Sequence, residues 1–266
     1  MYNKHLNNSW WLNELSDEPL KVENERAYFT HIDDTINPDI QENVSKKRWS
    51  NMRVHHYEWI KRQLGDVTHG KKMIDVGCGQ SQFKDLYGDF DVCGIDFYPY
   101  PGANIITDLN KNIPLKSGTV DVAILSNVLE HIYKPIEMLT EIARVLKKDG
   151  VVILVVPFMI KIHQAPFDFH RYTHFCLERM CKDAGFENIR IDKVGNIFDV
   201  YDIDSQIRSK LIRNETSGFR NFMVRVLLKL HSKLEVAIKN VTSTRVVSSV
   251  DEVGCPQSYG LIARVR

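Results

Sequence analysis

Lys72-Met73-Ile74-Asp75-Val76-Gly77-Cys78-Gly79-Gln80-Ser81-Gln82-Phe83 decides the fold. Residues 72–77 form an apolar run with one acid in it, as in a buried strand. A Gly-x-Gly turn follows, and residues 81–87 can start a helix. Gly77 and Gly79 lack the Cβ that would keep a ligand away from the backbone. A helix N-terminus behind them would offer free N–H groups.

Downstream, strand-like and helical stretches alternate. DVCGID (91–96), ANIITD (103–108), VDVAILS (120–126) and VVILVVP (151–157) read as strands. Helices fit 133–147 and 173–184, with Thr173 as cap and Gly185 as stop. ENIRIDKV (187–194) and the closing YGLIARVR (259–266) read as further strands. Such alternation implies an α/β fold, doubly wound and Rossmann-like, with a mostly parallel sheet and helices on both faces.

Residues 1–70 differ and are expected to form an N-terminal lid or cap, with a helix from about residue 43 to 64. Arg48, Trp49 and Arg53 are its candidate contributors to the site. The main domain is expected over 71–266, with a helical insertion at about 203–242 before the last strand.

Composition bounds the function. The 266 residues carry a net charge of +1, 43% hydrophobic and 26% charged residues, an ordinary balance for a globular protein. No stretch is apolar enough to span a membrane, and residues 1–15 hold no signal-peptide core. The five cysteines are scattered, with no CxxC pair, which points away from disulfides and zinc and towards a reducing, cytoplasmic setting. No metal ligand set is assigned.

Two acids bear on the ligand. Asp96 ends the second strand, where a carboxylate can take both hydroxyls of a ribose. A dinucleotide site would need a third glycine at position 82, which is glutamine. Asp75 suits a cationic amino group instead. S-adenosylmethionine carries an ammonium, a ribose and an adenine but no phosphate, and fits Asp75 with Asp96 better than a pyrophosphate does.

These residues, over about 70–195 and the last strand, resemble the class I S-adenosylmethionine-dependent methyltransferases, in particular their type 11-like small-molecule branch. DVGCGQSQF matches the first motif of that family, GIDF (94–97) its second, and TDLNKNIPLKSGTVDVAILSNVLEHI (107–132) the stretch after it. The resemblance implies a seven-stranded sheet whose last strand lies antiparallel beside the fifth. It places Asp75, Gly77, Cys78, Gly79, Asp96 and Phe97 at the cofactor, Asp108 and the Leu109 backbone at the adenine, and Asn127 beside the cofactor. Ser81 departs from the glycine usual there and is expected to cap the following helix.

The substrate side is expected in the loop after the fifth strand. There P-x(5)-H-x-x-P-x-D-x-x-R-Y-T (157–173) resembles a subgroup associated with polysaccharide biosynthesis. A hydroxyl acceptor must lose a proton, and histidine suits that near neutral pH. The candidates are His163, then His131, then His170. Asp168 could orient a histidine, and Arg171 and Tyr172 could meet the substrate; alternatively Asp168 and Arg171 pair to fix the loop. Glu130 and His131 could equally pack on or cap the next helix.

The insertion is basic. Residues 205–245 carry net +7, leaving −6 for the remainder, and 218–241 reads as an amphipathic helix. It either caps the domain, the reading favoured here, or lies on an anionic membrane surface. The leading function is methylation of an oxygen on a sugar-containing or other small polar metabolite, phosphorylated or lipid-linked forms included. Nitrogen methylation of an amino sugar, nucleic-acid methylation and a non-catalytic cofactor-binding partner are the alternatives. Nucleic acid is disfavoured because SNVLEH (126–131) stands where base methyltransferases carry Asn-Pro-Pro-Tyr or Asp-Pro-Pro-Tyr.

Overall fold

The structure, a computed structural model, describes residues 9–32, 49–67, 72–195, part of 222–237, and 256–266. Strands β3 (Lys72–Val76), β4 (Asp91–Asp96), β5 (Ile105–Ile106), β6 (Val120–Ser126) and β7 (Leu146–Pro157) pair in parallel in the order β5-β4-β3-β6-β7. Strand β9 (Ser258–Val265) then inserts antiparallel between β7 and β8 (Phe186–Val194), as the closing stretch predicted.

Among the described residues the sheet has nine strands rather than seven. The N-terminal segment, expected as a helical lid, supplies the two extra ones: β1 (Lys21–Glu23) and β2 (Arg26–Tyr28) form a hairpin, and β2 pairs in parallel with β5. Before it, the single turn α1 (Trp10–Asn13) buries Trp10 and Trp11 in the core, and the Trp10 indole donates to the Asp91 carbonyl at 3.0 Å.

The sheet separates two apolar layers because neighbouring side chains in a strand point to opposite faces. Ile74 and Val76 join the layer under α3 (Pro135–Val145) and α4 (His174–Asp183); Met73 joins the other, beneath α2 (Asn51–Gly65). Helix α3 starts with proline at its first turn and turns Met138, Leu139, Ile142 and Val145 inward at helical spacing. Thr173 caps α4 by accepting from the Cys176 N–H at 3.3 Å. Ser50 likewise caps α2; the expected earlier start of that helix, from residue 43 to 48, lies outside the described residues, as does Arg48. Trp49 packs edge-on against Tyr57 and Phe83.

Two local expectations fail for one reason. No α-helix follows the glycine turn; the chain makes only a 3-10 turn, Lys84–Leu86. Gly77, Gly79 and Ser81 all take positive φ, 66°, 50° and 51°, which keeps the chain turning. Ser81 is therefore not a helix cap; its side chain packs against Gly102.

Of the insertion, described residues between 222 and 237 are helical. Phe222, Met223, Val226, Leu227, Leu230 and Leu234 each expose part of their surface there. Among the described residues no helix is long and apolar enough to cross a membrane.

Candidate functional site

Strand β3 sits at the point where the winding reverses, with β4 on one side and β6 on the other. Ligands of open α/β sheets bind in the crevice beyond the carboxyl ends of such strands. Asp75, Gly77, Gly79, Asp96 and Asn127 lie at or just beyond the ends of β3, β4 and β6.

Gly77 leaves β3 at φ 66° and donates to the Ile95 carbonyl at 2.7 Å. A Cβ on Gly77 would run into the Val128 isopropyl group, so the packing of the turn itself also demands glycine here. Gly79 has open space where a Cβ would stand, and its N–H donates to Asp96 Oδ2 at 2.9 Å. Asp96 also accepts from the Tyr98 N–H through Oδ1 at 3.2 Å. Each carboxylate oxygen thus takes one backbone N–H and has lone pairs to spare. Burial pushes the Asp96 carboxyl up to about 6 despite these donors.

Asp75 is buried and receives the Tyr87 hydroxyl at 2.6 Å. Burial pushes its carboxyl up to about 7; the Tyr87 bond pulls it down and the nearby Asp96 pushes it further up. Cys78 is a free thiol, buried, and its pKa is raised by that burial, which makes it packing and not a nucleophile. Phe97 exposes its ring at the end of β4, and Leu109 is buried. Asp108 accepts from the Asn110 backbone N–H at 3.0 Å and pairs loosely with Lys111 at 3.7 Å.

Asn127 ends β6 at φ 56°, its N–H on the Val155 carbonyl. Its amide nitrogen lies 3.4 Å from His56 Nδ1, whose Nε2 is 2.8 Å from Ser258 Oγ. Burial depresses His56 to about 3, so this histidine is neutral and serves to orient Asn127. Sequence reasoning missed Tyr87 and His56. Neither lies in a motif, and both reach the site only through tertiary packing.

The substrate-side loop is pinned to the 3-10 turn Leu129–His131 that follows β6. Phe169 and His170 both donate their N–H groups to the Glu130 carbonyl, at 2.9 and 3.2 Å. The Tyr172 hydroxyl donates to the Leu129 carbonyl at 2.9 Å. Tyr172, a candidate substrate contact, is buried here, and its hydroxyl is committed to the loop anchor. Arg171 is likewise occupied. Its fork grips Asp168 at 2.6 and 2.8 Å and also donates to the Lys161 and His170 carbonyls. The ion pair fixes the loop, and Arg171 holds the Asp168 carboxyl far below the usual range.

His163 stands where this pair can steer it. Its backbone N–H donates to Asp168 Oδ2 at 2.8 Å, and its Nδ1 lies 3.2 Å from the same oxygen. Its ring meets that of His131 edge to face, centroids 4.8 Å apart. Glu130 faces both, its Oε1 lying 3.6 Å from His131 Nε2 and 3.7 Å from His163 Nε2. The Glu130 carboxylate raises the pKa of His163, burial opposes it, and Asp168 adds to the rise. Glu130 therefore does not cap α3, whose N-terminus begins at Lys134. His170 keeps a buried Nε2 with no hydrogen-bond partner.

A mostly parallel sheet wound both ways, with two buried acids at its switch point, defines a Rossmann-like fold. The methyltransferase domain family matches over residues 48–191, and the chain belongs to that family. A probable S-adenosylmethionine-dependent methyltransferase of Mycolicibacterium smegmatis is 26% identical over 148 residues, 49% of this chain and 58% of its own length. An uncharacterized methyltransferase of Mycobacterium bovis is 30% identical over 112 residues, 34% of this chain and 44% of its own length. The chain thus spans about half the length of the curated relatives it matches. Among solved structures, a SAM-dependent methyltransferase of Archaeoglobus fulgidus shares the fold with a TM-score of 0.50 at 16% identity, over 82% of this chain and 95% of its own. One from Thermotoga maritima does so at 0.51 and 14%, over 83% and 94%.

Proposed function

We propose that the protein transfers a methyl group from S-adenosylmethionine to an oxygen of a small polar, hydroxyl-rich acceptor such as a sugar-containing metabolite. The observation that carries this reading is the adjacency of two polar centres. Asp75, Gly79, Asp96 and Asn127 end the strands on the cofactor side. The turn after β6 then presents Glu130 and His131 towards His163 in the loop.

In this reading Asp75 takes the ammonium of the cofactor and Asp96 its ribose hydroxyls. Asp108 takes the adenine amino group, with the Leu109 backbone beside the ring. When bound, the cofactor supplies a methyl on a sulfonium: as the acceptor oxygen bonds that carbon, the carbon–sulfur bond breaks and its electron pair stays on sulfur. The protein's own work is alignment, which is worth roughly 7–11 kcal/mol in well-oriented pairs, and handling the hydroxyl proton. His163, held by Asp168 and facing Glu130, is the group that meets that hydroxyl, with His131 next to it. Glu130 and Asp168 are positioning residues.

Methyl-labelled S-adenosylmethionine, incubated with separate pools of sugar nucleotides, lipid-linked glycans, free sugars and amino sugars, tests this directly. Label in a hydroxyl pool, recovered as an ether, is the expected result. Label confined to amino sugars overturns the oxygen acceptor. Cofactor binding with no labelled pool favours a non-catalytic partner protein.

The buried acids make a second expectation. With Asp75 pushed up to about 7, its carboxyl is largely protonated at pH 6 and half ionised at pH 7, and an ammonium needs the ionised form; affinity for S-adenosylmethionine should rise about fivefold from pH 6 to 7 and fall again above about pH 8, where the cofactor's own amino group loses its proton. Calorimetry at pH 6 in two buffers of different ionisation enthalpy should show proton release on binding. A flat affinity between pH 6 and 8 would remove Asp75 from the ammonium.

A further inference from the structure

Glu130 is 0% exposed, and neither of its carboxylate oxygens has a hydrogen-bond partner. A carboxylate left so is costly, and native proteins pair it or place it on a metal. What faces it is two imidazole nitrogens, His131 Nε2 at 3.6 Å and His163 Nε2 at 3.7 Å. His131 Nδ1 lies 2.6 Å from the Phe167 carbonyl oxygen. A carbonyl only accepts, so Nδ1 carries a proton, and the tautomer this selects has its lone pair on Nε2. That Nε2 is buried and has no hydrogen-bond partner either. His163 is tethered differently: its backbone N–H donates to Asp168 Oδ2, and its Nδ1 lies 3.2 Å from the same oxygen without forming a hydrogen bond. Imidazoles backed on Nδ1 by a carboxylate or carbonyl, with Nε2 free, are how proteins orient metal-binding histidines.

We propose that Glu130, His131 and His163 form a binding site for one divalent transition-metal ion. Their three donor atoms lie within 4.8 Å of one another. Bonds of about 2.0–2.2 Å to an ion place its ligands roughly 3–4 Å apart, so a small rotation of the imidazoles closes the site. Two nitrogens and one carboxylate oxygen suit zinc and its first-row neighbours over magnesium or calcium, which take oxygen ligands. Three protein ligands leave coordination positions open, as in catalytic sites. The use of the ion rests on the methyl-transfer reading above: it would hold the acceptor oxygen and acidify its hydroxyl. The proton leaves to solvent, the oxygen bonds the methyl carbon, and the carbon–sulfur pair stays on sulfur. His163, which meets the hydroxyl directly in the reading above, would with the ion present meet it as a ligand of that ion.

Cobalt titration of the chelator-treated full chain tests the site, with visible absorption and metal content after desalting as readouts. S-adenosylmethionine binding is measured on the same samples. One cobalt per chain with a visible ligand-field band, displaced by zinc, is expected. Glu130→Gln and His163→Ala should each weaken it at least tenfold while keeping S-adenosylmethionine binding, and His231→Ala should not. Should Glu130→Gln fail to fold, His163→Ala, in the loop, decides alone. Wild type that binds S-adenosylmethionine but no stoichiometric cobalt overturns the metal site and leaves the methyl-transfer reading intact. Cobalt retained equally by both variants also overturns it. Cobalt bound as expected by protein that does not bind S-adenosylmethionine upholds the site and removes its catalytic use.

Discussion

Asp96→Ala should weaken S-adenosylmethionine binding by about a hundredfold or more. A hydrogen bond to a charged acceptor is worth about 1.5–3 kcal/mol, and a ribose edge offers two. The variant also strands the Gly79 N–H, which now donates to Asp96 Oδ2 at 2.9 Å, and so loosens the turn that shapes the crevice. Asp96→Asn separates the two effects. It keeps an acceptor oxygen for the turn but gives up the charge and one acceptor position, and should cost about tenfold on the same scale. Calorimetry reads both, with circular dichroism to show that the strands remain. Binding by Asp96→Ala within threefold of wild type would move the ribose elsewhere.

The cofactor side was more legible in the sequence than the substrate side, for a physical reason. Asp75, Gly77, Gly79 and Asp96 lie at strand ends, and strands announce themselves by continuous apolar runs such as Ile153–Val156 in β7. Once the strands are placed, their carboxyl ends follow. The hairpin β1–β2 was invisible because each strand has three residues, and β1 is mostly exposed, so neither shows a period. ANIITD shrank to Ile105–Ile106 because only two residues there find partners in β4 and β2. The helix expected after the glycine turn failed because three left-handed residues within five positions outweigh any helical propensity beyond them. A backbone amide and not a helix dipole is therefore what Gly79 contributes. On the substrate side, the sequence offered a loop with two histidines, an aspartate and an arginine but no way to rank their partners. Only the folded chain brings Glu130, His131 and His163 together across 33 positions of sequence, and only it commits Arg171 to Asp168.

His163→Ala should lower methyl transfer by about 10²–10⁴-fold, the usual contribution of a positioned proton-handling group. It should leave the affinity for S-adenosylmethionine unchanged. The asymmetry follows from the placement. His163 belongs to the loop after β7, pinned through Glu130 and Asp168, whereas Asp75 and Asp96 hold their positions through β3, β4, Tyr87 and Gly79. No described contact of His163 runs to those acids, so its loss should be felt in turnover alone. Asp168→Asn refines the point. It keeps an oxygen for the His163 backbone N–H but gives up the charge that Arg171 grips, so the imidazole loses its orientation before it loses its chemistry. A fall in turnover between those of wild type and His163→Ala is expected, again at constant cofactor affinity. Were His163→Ala to turn over within threefold of wild type, the acceptor would have to lie elsewhere along the crevice, and His170, with its buried and unpartnered Nε2, would be the next imidazole to replace.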